Sequence, residues 1–189
     1  MSPHSEIENK FGALPSLYKK WISQNVPYNQ EYNASDYLAW LKPSQILDKD
    51  NYEFDGETPR DELMILGLCH EDAIWFLDTK NGTVIIWILF HEATLYAPNL
   101  SGWIFRVCLD LACGFYDDGQ ETITTIHNLS SLIATHSPRL TEQLKTIINR
   151  PITIGEHFNS LLTEQECDSM IIKEFGQEYL NTEVEIFKP

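Results

Sequence analysis

Basic residues are scarce in this chain. Thirteen Lys and Arg stand against 28 Asp and Glu in 189 residues, a formal charge of −15. A field of that sign repels phosphate backbones and anionic lipid, so direct binding to nucleic acid or a membrane surface is disfavoured. The nine glycines are scattered and form no Walker loop, GxGxxG turn or GxSxG elbow, and HExxH is missing too. Cys69, Cys108, Cys113 and Cys167 make no CxxC pair and no Cys/His spacing suited to zinc. A chain of this length has little need of disulfides, so all four are expected as reduced, mostly buried thiols. The apolar run TVIIWILF stops at His91-Glu92, well short of the roughly 18 residues of a spanning helix. MSPHSEIENKF carries no apolar segment behind a basic start, so a cytoplasmic location is expected.

What is present is a clear strand pattern between Asp61 and Phe90. Leu63 to Cys69, Ile74 to Asp78 and Thr83 to Phe90 are short, rich in β-branched and aromatic residues, and separated by polar or glycine-containing breaks. Asn81-Gly82 lies between the second and third runs and suits the positive φ angles of a tight hairpin. The three runs therefore predict a meander. The third lacks polar alternation, which predicts a central strand covered on both faces.

Helical patterns flank it. Ser5 and Glu8 have capping-box spacing before Gly12, and Pro15 opens a second helix whose stripe is Leu17, Tyr18, Trp21 and Ile22. Tyr37 to Leu41 reads as a strand, Pro43 to Leu47 as a brief helix, and Asp48 to Arg60 as a loop. Asn99 or Ser101 caps a helix over 102–113 that carries Ile104, Val107, Cys108, Leu111 and Ala112 inward. Arg106 and Asp110 would pair at i,i+4 on its opposite side. Helical stripes continue through 121–133 and 138–148, Thr163 and Glu166 repeat the capping-box spacing, and EVEIF reads as a late edge strand. The fold class expected is α+β, a single antiparallel-rich sheet built on a central meander with N-terminal and C-terminal helices packed on it. One domain is placed at 1–150, with a helical extension, 151–189, packed on the same body.

The acidic excess is uneven. Residues 1–47 are balanced, but between Asp48 and Asp78 ten acids face only Lys49 and Arg60, and a second tract runs from Glu156 to Glu185. Such a field attracts a basic protein, although the same acids would also serve solubility alone. Candidate partner-binding residues are Asp48, Asp50, Glu53, Asp55, Glu57, Glu71 and Asp72 as steering charges. Trp40 and Tyr52 join them as exposed anchors. Trp75, Trp87, Trp103, Phe76 and Phe105 fall inside apolar runs and are expected in the core.

Fragments resembling catalytic motifs fail on inspection. Asp48-x-Asp50 begins like a calcium loop, but Tyr52 and Glu53 stand where that loop wants an oxygen ligand and a glycine. His91-Glu92 has no second histidine four positions on, and Ser16-x-x-Lys19 lacks the partner motifs of its chemistry. An enzyme with dispersed catalytic groups around His70, His91 and the acids is a remaining, lesser alternative, but no nucleophile, base and orienter stand together in the sequence. No catalytic residue, metal or cofactor is therefore expected.

The helix LPSLYKKWI, followed by an acidic loop and then LGLCHEDAIWFLDTKNGTVIIW, resembles the SMI1/KNR4 family of the SUKH superfamily. The residues that carry the likeness are Glu6 or Glu8, Leu14, Pro15, Tyr18 and Trp21, then Trp75, Asp78, Gly82 and Val84. It covers residues 5 to about 115. A glycine usual after the first helices is missing from QNVPYNQEYN, and about seventy residues follow where many members end. The resemblance implies a non-catalytic domain that binds proteins, either an immunity protein neutralising a secreted polymorphic toxin or a regulatory scaffold. A toxin with a basic surface, such as a nuclease, would suit the charge.

Overall fold

The computed structural model describes residues 3–34, 37–47, 54, 56–69, 72–89 and 91–189. Helix α1 (Pro3–Phe11) ends where Gly12 turns to φ +87°, and α2 (Ser16–Ser23) follows. Because α1 starts at Pro3, Ser5 and Glu8 lie inside it instead of capping it. Glu8 ion-pairs with Lys19 across to α2 and accepts from the Leu14 amide at 3.3 Å. Pro15 is the residue before α2, and the stripe Leu17, Tyr18, Trp21 and Ile22 is buried.

After two short 3-10 turns come β1 (Ala39–Trp40) and α3 (Pro43–Leu47). The strand expected over Tyr37 to Leu41 shortens because Ala34 and Leu38 close on each other in a tight bridge. The meander then forms from β2 (Leu63–Cys69), β3 (Ala73–Asp78), β4 (Val84–Ile88) and β5 (Thr94–Ala97). All neighbours are antiparallel, in the order β1-β2-β3-β4-β5. This is an α+β fold with one principal sheet. β3 is its centre, and β4 is covered less completely than its sequence implies: Ile86 is half-buried and Ile88 is 43% exposed. Between β3 and β4 only Gly82 takes positive φ, and the Asp78 carboxylate holds the loop by accepting from the Lys80 amide and the Asn81 side chain.

One face of the sheet packs on α4 (Leu100–Cys113), whose Asn99 cap accepts from the Gly102 amide at 2.9 Å. α5 (Gln120–Ile133), α6 (Pro138–Ile148) and α7 (Glu164–Phe175) surround α4, so that helix is apolar on nearly every side. Trp21, Trp40, Trp75 and Trp103 meet edge-on or tilted with ring centres 5.1 to 6.4 Å apart, joining α2, β1, β3 and α4.

The opposite face carries Phe76 and Trp87, which pack against Phe54 and, for Trp87, Phe187. Beyond α7 and α8 (Glu178–Asn181), residues 182–188 cross this face. Thr182 accepts from Leu95 and Val184 donates to Ala93 beside β5. Ile186 then accepts from Arg60, and Lys188 donates to Thr58 just before β2. The tail expected as an edge strand is thus a strap with isolated bridges at Thr94–Glu183 and Pro59–Phe187. A small hairpin, β6 (Thr153–Ile154) and β7 (Asn159–Ser160), stands apart from the main sheet.

Two sequence expectations are corrected here. Cys113 and Cys167 form a disulfide instead of remaining thiols, because α7 lies against α4 and brings together residues 54 positions apart. Arg106 and Asp110, expected to pair with each other on the outer side of α4, are half-buried and bond elsewhere: Asp110 accepts from the Tyr96 hydroxyl of β5, and Arg106 donates to the carbonyls of Tyr96 and Tyr179. Among the described residues no helix is long and apolar enough to cross a membrane.

Candidate partner-binding surface

Asp48, Asp50, Tyr52, Glu53, Asp55 and Glu71, with His70, lie outside the described residues. Glu57 and Asp72 are both exposed, but one precedes β2 and the other follows it. A seven-residue strand separates them, roughly 20 Å at the usual rise.

Trp40 is not an exposed anchor. It is only 6% exposed, its indole N–H donates to the Tyr32 carbonyl at 2.8 Å, and its ring stacks edge-on with Trp21 and Trp103. Its register opposite Gly67 gives the reason. A Cβ at Gly67 would lie 2.7 Å from the Ala39 carbonyl, so β1 sits close against β2 and turns Trp40 into the core.

Many acids of the described chain have fixed cationic partners. Glu62 contacts Lys80 at 3.2 Å and Arg60 at 3.4 Å, and Lys188 reaches Asp61 at 2.8 Å. A hydrogen bond from its own backbone amide, together with Lys80 and Arg60, holds the Glu62 carboxyl below its ordinary range. Glu166 is lowered to about 2 by Arg150 and by the Thr163 amide, in a complete capping box that starts α7. Arg139 and Gln143 bind the carboxylate of Glu174.

A polar grouping inside the fold is built on Tyr96, Arg106 and Asp110. Tyr96 donates its hydroxyl to Asp110, and the Arg106 guanidinium lies 4.2 Å over the Tyr96 ring. Arg106 also donates to the carbonyls of Tyr96 and Tyr179, tying α4 to β5 and α8. Loss of hydration raises the Asp110 carboxyl, with Arg106 and Tyr96 opposing and Asp168 adding to the rise. Burial, helped by Asp110, pushes the Cys69 thiol up to about 12, and the Cys108 thiol is raised for the same reasons. Thiols held protonated are poor nucleophiles, so the grouping suits a latch between elements better than covalent chemistry. His91 is exposed at the end of β4. Among the described residues, no three His, Cys, Asp or Glu are arranged to hold a metal.

Two open grooves run beside α7. One, about 580 Å³, lies between α6 and α7 over Ile147 and Met170, with Arg150 and Glu166 at its rim. The other, about 360 Å³, lies between the start of α4, the α5–α6 turn and Glu174.

Sequence reasoning missed a third feature. Tyr116, Ile154 and Phe158 are 81%, 84% and 52% exposed, and all three lie on or beside the β6–β7 hairpin. Tyr116 follows the buried Phe115, and nothing in the pair FY reveals which ring faces out. A lone Phe in the polar stretch GEHFN was the available signal.

With this geometry in place, comparison gives no relative to draw on: no family model matches the chain, and no similar curated protein or solved structure was found.

Proposed function

We propose that this chain is a non-catalytic protein-binding domain whose negative surface captures a basic protein. Following its resemblance to SMI1/KNR4 immunity proteins, that protein is a bacterial toxin domain neutralised by direct binding. The observation that carries the proposal is charge: 28 acids against 13 bases, with no Lys or Arg at all from 107 to 138 or from 151 to 172. Long-range attraction of this kind raises association rates by roughly 10- to 1,000-fold at low salt, while buried contacts set residence time. A nuclease toxin must itself attract phosphates, so its active-site face is cationic and complements such a surface.

The test is the association rate with a basic C-terminal domain of a secreted protein encoded beside this chain, measured across ionic strength. A fall of at least about tenfold between low and high salt is expected, because exposed charges lose most of their mutual field beyond the Debye length. Equal rates at both salt concentrations would exclude capture by charge.

A further inference from the structure

We propose that the β6–β7 hairpin and the adjoining Tyr116 are the apolar anchor with which this chain grips its partner, and that the matching face carries arginine side chains among aliphatic ones. The anchor rests on the reading of the chain as a binder of basic proteins, and it assigns that binding to the start of the second acidic tract, away from the candidate residues named from the sequence.

Three observations support it. First, two exposed rings touch. The rings of Tyr116 and Phe158 lie 5.3 Å apart edge-to-face, and Ile154 stands exposed on the facing strand of the same hairpin, paired with Asn159. Monomeric surfaces expose single apolar side chains freely, but three large ones at one hairpin point to a contact site.

Second, the backbone beneath them is fixed. Phe115 and Asn159 exchange two backbone hydrogen bonds of 2.9 Å, and the Asn159 side chain donates to the Asp117 carbonyl at 2.8 Å. The Gly155 amide closes the turn on the Phe158 carbonyl at 3.0 Å, and a Cβ on Gly155 would sit 2.2 Å from that oxygen. Below, the amides of Leu161 and Leu162 both donate to the Ala112 carbonyl, tying the hairpin to the end of α4. Anchors presented on a preorganised backbone lose little entropy on binding.

Third, the sequence around these residues is acidic. Asp118, Glu121 and Glu156 are exposed nearby, within segments that hold no Lys or Arg. Asp118 is held in place by accepting from the Gln120 amide at 3.0 Å. An aromatic pair edged by carboxylates suits the guanidinium group, which stacks on ring faces while its N–H groups reach the acids. A second copy of the chain would bring another −15 to the same place, which disfavours self-association there.

The experiment titrates the full chain with two 12-residue peptides of equal charge, one alternating Arg with Leu and one alternating Lys with Ser. Backbone amide shifts are followed in the wild type and in the double variant Tyr116→Ser, Phe158→Ser. The Arg/Leu peptide is expected to perturb amides of 115–119 and 153–160, and to lose at least about 30-fold in affinity for the variant, as for a pair of interface hot spots. The Lys/Ser peptide is expected to bind both proteins alike and weakly. If both peptides bind the wild type but the variant binds Arg/Leu equally well, or the shifts map elsewhere, the anchor is overturned while capture by charge stands. If neither peptide binds at low salt, capture by charge fails and the anchor fails with it. Sedimentation of the wild type as a dimer that the double substitution dissociates would overturn the proposal in favour of self-association. The shift map of the wild type decides the location even if the variant folds poorly.

Discussion

Two groups of aromatic residues in this protein behave in opposite ways. Trp21, Trp40, Trp75 and Trp103 are shut between α2, the sheet and α4, where each ring packs against its neighbours. Tyr116 and Phe158 touch each other just as closely, yet they stand in solvent on a braced hairpin. Ring contact is therefore common to both, and burial alone distinguishes an aromatic group that holds the fold from one free to hold something else. Within the tryptophans there is a second contrast. The indole N–H groups of Trp21 and Trp40 donate to the carbonyls of Leu132 and Tyr32, whereas those of Trp75 and Trp103 find no partner among the described residues.

The largest expected effect separates the two groups directly. Trp103→Ala should cost about 3–5 kcal/mol of unfolding free energy in urea titration, as large aromatic truncations in a core do. Tyr116→Ala and Phe158→Ala should each stay within about 0.5 kcal/mol. Comparable losses at both places would erase the distinction. At a smaller scale, Asn99→Ala and Thr163→Ala should each cost about 1 kcal/mol by removing the caps of α4 and α7, again read by urea unfolding. About 1 kcal/mol should also separate Trp40→Phe from Trp103→Phe, with Trp40 the costlier, because only Trp40 gives up a hydrogen bond.

The smallest effects depend on pH. The Asp110 carboxyl is raised in the fold from an ordinary 3.8, so the native state binds more protons than the unfolded chain above that value. Stability contributed at Asp110 should therefore fall as pH rises through its folded value, and Asp110→Asn should gain on the wild type over the same range. Glu166 runs the other way. Its carboxyl drops from 4.5 to about 2, so its contribution is present above 4.5 and is lost as pH falls towards 2. Arg150→Ala should flatten that part of the acid unfolding profile. An unchanged slope would remove Arg150 as its main cause.

The meander was legible in the sequence because each strand is short, β-branched and closed by a turn-forming break, and local chemistry suffices for that. The covering of the strands was less legible. Spacing put Arg106 and Asp110 on one side of α4, but whether water or another element faces that side depends on where β5 and α8 return. The disulfide between Cys113 and Cys167 depends in the same way on the packing of α7 against α4. Trp40 was misplaced because a tryptophan beside an acidic loop looks accessible until the close approach of β1 to Gly67 is known. The hairpin aromatics escaped notice because a single exposed ring in a polar loop leaves no periodic trace.

The strap across the sheet has a consequence for biosynthesis. The amide of Leu95 finds its acceptor in Thr182, about ninety residues further along the chain. At roughly 5–20 residues per second, a ribosome takes on the order of 5–20 s to deliver that acceptor after β5 has been made. Throughout that interval the nascent chain carries an unpaired sheet margin and a Trp87 without its Phe187 cover, the two features that invite wrong association before synthesis is done.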